Sequence, residues 1–254
     1  NTLPSTVYAS TDGGHSWQAV TPPDGYDMDG LPDGTTTLVA GHVIALLNPT
    51  ANTPNFALGD RSPDGSWRLL TAPSGIDIHA WPPAAWAVDP ANPAHIYAAV
   101  YADGGNIALL ATRDDGATWQ QLTMWPNGQD GARVWTARGN RVYGQPISDT
   151  GRPTPLYFSA NDGVTWATAP LQGTLGEGIM AINPAGIAIV VIDGTVLELE
   201  EATGSLVAIG RDLGFSQIGG SPYVCAASAG ASAALICGSN TMGANYAFPL
   251  PARL

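Results

Sequence analysis

The sequence predicts an all-β fold of repeated four-stranded antiparallel units, and three observations carry that expectation. A tryptophan-terminated turn motif recurs at a near-constant period, each copy lies between short apolar runs, and turn formers abound. Of 254 residues, 31 are Gly and 21 Pro, while 44% are hydrophobic and 12% charged. That balance belongs to a turn-rich folded chain rather than a disordered one.

Four segments share one template. Ser10-Thr11-Asp12-Gly13-Gly14-His15-Ser16-Trp17 reads S-x-D-x-G-x-S-W, and residues 112 to 119, with Asp114 and Trp119, repeat it with Thr first. Residues 159 to 166 place Asn161 at the acidic position before Trp166, and the fourth copy, Ser62 to Trp67 with Asp64, is two residues shorter. The tryptophans are 50, 52 and 47 residues apart, close to the ~40 to 50 of four-stranded propeller blades.

Apolar runs precede each copy (Val7 to Ala9, Phe56 to Leu58, Leu109 to Ala111, Leu156 to Phe158), and another follows, so each motif is a hairpin turn. The local chemistry explains the residue types: a side-chain oxygen of Asp or Asn bonds backbone N–H groups two residues on, Gly supplies positive φ, and Trp covers the turn. Two more strands lie upstream of three of the motifs: Thr36 to Ala40 with His42 to Leu47, Ala85 to Val88 with His95 to Val100, and Ala132 to Ala137 with Arg141 to Gln145. With strands named a to d from centre to rim, the motif is the c–d turn.

These motifs resemble Asp-box, or BNR, repeats of the bacterial-sialidase type, which also occur in sortilin-type receptors, xyloglucan-active hydrolases and photosystem II assembly-factor propellers. The resemblance covers roughly residues 5 to 170. It implies a β-propeller whose boxes lie at the blade periphery, opposite the ligand face. Asp12, Asp64, Asp114, Asn161 and the four tryptophans Trp17, Trp67, Trp119 and Trp166 are then scaffold.

The blade count follows from the remainder. Gly178 to Ala181, Ile187 to Asp193, Thr195 to Glu200 and Ser205 to Ile209 make a boxless blade, and Tyr223 to Ala229 with Ala233 to Gly238 supply strands a and b of another. Joining the latter to the N-terminal c and d strands closes a single domain, residues 1 to 254, as five blades: 215–240 plus 5–20, 30–70, 84–122, 131–170 and 177–210. Residues 241–254 are left as a tail, or offer a competing c strand at Tyr246 to Leu250; six blades is the alternative count. In the 223–238 hairpin a three-residue loop sets Cys225 opposite Cys237, within disulfide reach. Such a bond favours an extracytoplasmic or secreted setting.

Function is expected on the face carrying the d–a and b–c loops, the longer set, which includes Thr21 to Gly34, Thr71 to Pro83, Ala102 to Asn106 and Thr123 to Gly131. Asp27, Asp29 and Asp33 alternate around glycine turns in a way that suits calcium, without a full calcium-loop pattern. Trp81, Trp125 and Tyr101 offer rings, and Arg133 and Arg152 offer cations, for a glycan or protein ligand. Trp86 and Trp135, at equivalent inner-strand positions, read as core. Glu177 and Asp130 are the candidate carboxyl pair for glycoside hydrolysis, which needs two carboxyls ~5 to 9.5 Å apart.

Composition excludes other classes. The chain has 9 Lys plus Arg, all of them Arg, against 21 Asp plus Glu, a net charge of −12. Nucleic acid and anionic membranes are poor partners for such a surface. No apolar run reaches the roughly 18 residues of a membrane helix. The sequence lacks the R-I-P motif and the Tyr-Glu pair of sialidases. The expectation is therefore a monomeric, non-catalytic binding or scaffold propeller without a cofactor other than calcium, with a glycoside hydrolase as the alternative.

Overall fold

The computed structural model describes residues 8–10, 15–28, 36–50, 56–74, 81–126, 128–148, 154–171, 179–183, 185–192, 195–210, 224–227, 234–238 and 245–249. The chain divides into two compact units, residues 1–126 with 131–134 and residues 127–130 with 135–254.

In the first unit, β1 (Tyr8–Ala9) and β2 (Gln18–Ala19) form an antiparallel pair. The next sheet holds β3 (Tyr26–Asp27), β4 (Thr36–Val39), β5 (His42–Pro49), β6 (Ala57–Arg61) and β7 (Trp67–Leu70). One edge of β5 is long enough for two short strands: β4 pairs with residues 42 to 45 and β3 with Asn48 and Pro49. A third sheet runs β8 (Ala85–Asp89), β9 (Asn92–Ala102), β10 (Asn106–Thr112), β11 (Gln120–Trp125). Here β9 and β10 are buried on both faces, which is why Ile96 to Val100 and Ile107 to Ala111 read as unbroken apolar runs.

A fourth sheet, β12 (Gly131–Ala137), β13 (Arg141–Ile147), β14 (Leu156–Ser159) and β15 (Ala167–Ala169), begins where the division between units falls. The second unit continues with β16 (Ile179–Ile182), β17 (Ala188–Ile192), β18 (Thr195–Glu200) and β19 (Ser205–Gly210). Last come β20 (Val224–Ala227), β21 (Ala234–Gly238) and β22 (Asn245–Pro249).

Apolar clusters sit between consecutive sheets. Ile44, Leu58 and Leu70 meet Trp86, Val88 and Ile96 in the first unit, and Tyr143, Leu156 and Phe158 meet Ala188, Val190 and Leu199 in the second. Each sheet thus needs its neighbour to bury a face, as stacked repeats do.

Three expectations change. The third strand beside β21 is β22, with Cys237 opposite Tyr246, so Asn245–Pro249 is the competing strand and not part of a tail. The competing strand at Tyr246 wins because it follows β21 by a short connection and alternates suitably. Between β9 and β10 the expected long loop is a 3-10 turn, Asp103–Gly105, with Gly104 at φ 71° and Asn106 Nδ2 donating to Asp103 O at 2.7 Å. The second sheet has five strands rather than four because the chain from Asp24 enters through β3. The hairpin register is as expected, Cys225 opposite Cys237.

Glycines fix two contacts between the last two four-stranded sheets. Gly204 (φ 68°) and Gly186 (φ 83°) each leave a Cβ position only 2.9 Å from a backbone oxygen, of Thr168 and Arg138 respectively. Gly204→Ala is therefore expected to cost about 1–3 kcal/mol through positive φ and this close approach, measured as a fall in urea midpoint against wild type.

Candidate functional site

The box turns come first because they consume most of the chain's chemistry. In the 112–119 turn, Thr112 Oγ1 accepts from the N–H of Gly116 at 2.8 Å, while Asp114 Oδ1 accepts from Thr118 N–H at 2.8 Å and Asp114 Oδ2 from Thr118 Oγ1 at 2.6 Å. Asn161 repeats the arrangement: Gly163 N–H donates to Ser159 Oγ at 2.9 Å and Thr165 N–H to Asn161 Oδ1 at 2.9 Å. Left-handed backbone at Asp115 (φ 61°) and Asp162 (φ 63°), each followed by Gly, turns the chain back. In these full boxes the side chain reaches four residues on, not two as expected. Only the short copy spans two, with Ser66 N–H donating to Asp64 Oδ1 at 2.9 Å. The Thr118 hydroxyl and N–H hold the Asp114 carboxyl at about 2, well below the usual carboxylate range, and Ser66 lowers Asp64 likewise. Asp12 lies outside the described residues.

The same turns join sheets. Trp67 Nε1 donates to Thr21 O at 2.7 Å and Trp119 Nε1 to Thr71 O at 3.2 Å, each carbonyl lying just past the outer strand of the preceding sheet. Thr71 Oγ1 in turn donates to Gly116 O at 3.3 Å. Trp166 instead bonds its own turn, at Gly163 O.

Sequence reasoning missed two polar clusters. Asp60, 2% exposed, accepts from His42 Nδ1 at 2.9 Å, and Arg68 Nη2 lies 3.4 Å from Asp60 Oδ2 and 2.8 Å from Asp115 Oδ1. The histidines read as scattered because 18 residues separate His42 from Asp60; only the β5–β6 register brings them together. In the boxless sheet, Glu201 Oε1 accepts from Arg141 Nε at 2.8 Å and lies 3.0 Å from the Tyr143 hydroxyl, which also reaches Gly186 O at 2.8 Å. Burial, then Glu201, push the Tyr143 hydroxyl far up, and Glu201 raises Arg141. Glu201 follows β18, where the other sheets place their boxes, so an ion pair does there what Trp67 and Trp119 do elsewhere.

On the expected ligand face the residues part company. Tyr101 is half-buried near the end of β9, and its hydroxyl lies 3.4 Å from where a Cβ at Gly131 would stand; the φ of 116° at Gly131 is what favours glycine there. Arg133, half-buried, follows two residues later on the innermost strand β12. Asp130 is exposed, with its N–H donating to Ile147 O at 3.1 Å. Trp125 is a correction: it is 0% exposed, opposite Ile107, because β11 extends to include it. It presents no ring to a ligand. Trp81 is half-buried and meets Trp119 edge-on at 5.5 Å, so it packs between sheets. Asp27 lies in β3. Asp29, Asp33, Arg152 and Glu177 lie outside the described residues. No group of three or more His, Cys, Asp or Glu stands together to hold a metal, and no helix is long and apolar enough to cross a membrane, among the described residues.

The Asp114 geometry carries a sign. Its carboxyl is ionised in the folded state down to about pH 2, while the unfolded group binds its proton below about 3.9, so its contribution is present above that value and lost as pH falls toward 2. Asp114→Asn, which copies Asn161, is expected to flatten the slope of stability between those two pH values. Urea unfolding of both proteins across that range checks it.

No protein-family model matches the sequence, and no curated protein matches it. Solved structures do. SapL1 lectin in complex with alpha methyl fucoside has a TM-score of 0.52 at 14% identity, covering 96% of this chain and 88% of that one. TolB from Acinetobacter baumannii scores 0.54 at 12% identity, with 96% and 59% covered, and an ancestral GH74 enzyme 0.54 at 16%, with 92% and 32%. The chain thus spans about three-fifths of TolB and a third of the GH74 enzyme. At these identities the likeness concerns fold alone. The described sheets, all antiparallel and three of them four-stranded, are those of a β-propeller.

Proposed function

We propose that the protein is a non-catalytic binding module, secreted or surface-exposed, that takes a glycan or protein ligand on its long-loop face. The observation that carries this reading is the approach of Tyr101 to Gly131. The half-buried tyrosine hydroxyl lies beside Gly131 on the innermost strand of the neighbouring sheet, and Arg133 follows on that strand. A phenol and a guanidinium on rigid inner strands suit a polar ligand with ring faces or acidic groups. The carboxylates of the described boxes, by contrast, are engaged within their own turns, which leaves them no part in turnover. A lectin shares the fold. Calcium at Asp27, Asp29 and Asp33 remains part of the proposal, resting on their spacing.

A glycan-array and aryl-glycoside screen, run with and without calcium, tests the reading on wild type, Tyr101→Ala, Arg133→Ala and Glu177→Gln. Glycan binding lost in the first two variants, with no turnover anywhere, is expected. Aryl-glycoside hydrolysis abolished by Glu177→Gln would replace the reading with the hydrolase alternative. For the setting, the Cys225–Cys237 register supports a disulfide. Non-reduced mass spectrometry is expected to find the two linked, and two free thiols in protein from an oxidising compartment would count against export.

A further inference from the structure

We propose that the box-turn end of the sheet holding β5, β6 and β7 carries a hydrolytic site for short-chain carboxylic esters, with Ser62 as nucleophile, His42 as general base and Asp60 as the residue that positions the histidine. The site lies away from the b–c and d–a loops. The long-loop face keeps its binding role, and neither reading depends on the other.

The inference starts from register. Val43 pairs with Arg61 and Ile44 with Asp60, so the next positions set His42 opposite Ser62 and Gly41 opposite Pro63. Contact bears out the continuation, since a Cβ at Gly41 would lie 3.2 Å from the Pro63 ring. Opposed side chains share a face with Cβ atoms ~4.5–5.5 Å apart, and alternation adds Asp60, two residues before Ser62, to that face. The histidine is oriented as a base. Asp60, 2% exposed, accepts from His42 Nδ1 at 2.9 Å, and Arg68 stands 3.4 Å from its other oxygen. A carboxylate at Nδ1 takes the N–H there, which leaves the lone pair on Nε2 of a ring that is 20% exposed.

Ser62 is the hydroxyl that the repeat releases. In the full boxes the first hydroxyl is consumed by the turn, where Thr112 Oγ1 accepts from Gly116 N–H and Ser159 Oγ from Gly163 N–H. The short box closes on backbone bonds, Gly65 N–H to Ser62 O at 2.9 Å and Ser62 N–H to Ser66 O at 2.8 Å, and on Asp64 with Ser66. It stands without the Ser62 hydroxyl. A Cβ at Gly65 (φ 92°) would lie 3.2 Å from Arg61 Nη2, so that guanidinium covers the same turn and can give N–H groups to the charge that grows on a reacting carbonyl oxygen.

The chemistry closes without a cofactor. Ser62 Oγ adds to the ester carbonyl carbon and its proton passes to His42 Nε2; the bond to the alcohol oxygen breaks, and the alcohol leaves with that proton. Water then adds to the acyl carbon, giving its proton to His42, and the acyl–Oγ bond breaks to release the acid and return the proton to Ser62.

A serine-directed fluorophosphonate and p-nitrophenyl acetate test this on the whole chain, with adducts located by peptide mass spectrometry. Folded protein is expected to carry the phosphonyl group on Ser62 and, with the ester, to release a burst of nitrophenol while Ser62 becomes acetylated. Ser62→Ala is expected to abolish both with unchanged melting, because that hydroxyl holds no turn. His42→Gln is expected to slow hydrolysis about a hundredfold or more. Asp60→Asn is expected to lower kcat at unchanged KM, since the orientation of the ring is lost and ester binding is not. Three results would overturn the proposal: no adduct on Ser62 in the folded protein; equal labelling of Ser62 in urea, which means that the fold does not activate it; and ester hydrolysis that persists in Ser62→Ala. Glycan binding at the long-loop face bears on none of them.

Discussion

The turn between the third and fourth strand of a sheet is also the clasp on the sheet before it, and this double duty governs the rest of the structure. A four-stranded sheet in this chain has two apolar faces and a length of only three to eleven residues per strand, so it cannot bury itself. Its box turn fixes the distance and orientation to the neighbour: the ring of Trp119 packs toward Trp81 while its N–H takes the Thr71 carbonyl. Where the box is missing, Glu201 holds Arg141 and Tyr143 across the equivalent gap. One geometric requirement is met by an indole in one place and an ion pair in the other.

That requirement explains the odd charge balance. With few cations, most carboxylates need partners other than salt bridges, and the boxes supply hydroxyl and backbone N–H donors instead. Two of the arginines serve junctions, where Arg68 spans Asp60 and Asp115, and Arg141 meets Glu201. Both clusters link a sheet to the turn of the next, and both carry a group that is mostly buried. An anionic surface then follows as a by-product of turn chemistry, and it sets the electrostatic terms on which any ligand approaches the inner-strand tyrosine and arginine.

Much of the fold was legible because the repeat is local. Trp-to-Trp spacing located the third and fourth sheets to within a few residues, and the boxless sheet was readable from alternation alone. What escaped was long-range. The burial of Trp125 depends on β11 running on past Thr123 to face Ile107, which no local pattern shows. The pairing of His42 with Asp60 depends on strand register, and so does the pairing of β22 with β21. The reach of Asp114 to Thr118 was misjudged for a smaller reason: two left-handed residues make the turn tighter than a simple Asx turn and bring the fourth residue within range. Tyr101 and Arg133 could be listed from sequence, but the position of the tyrosine hydroxyl beside Gly131 could not.

Hydrogen exchange of the indole N–H protons, followed by NMR, tests the clasp most directly. If the box tryptophans hold consecutive sheets together, the Trp67 and Trp119 indole protons exchange slowly and in step with the amides of the outer strands they grip. Fast exchange of the Trp67 and Trp119 indoles while those outer-strand amides stay protected would contradict the account, because the sheets would then be joined without them.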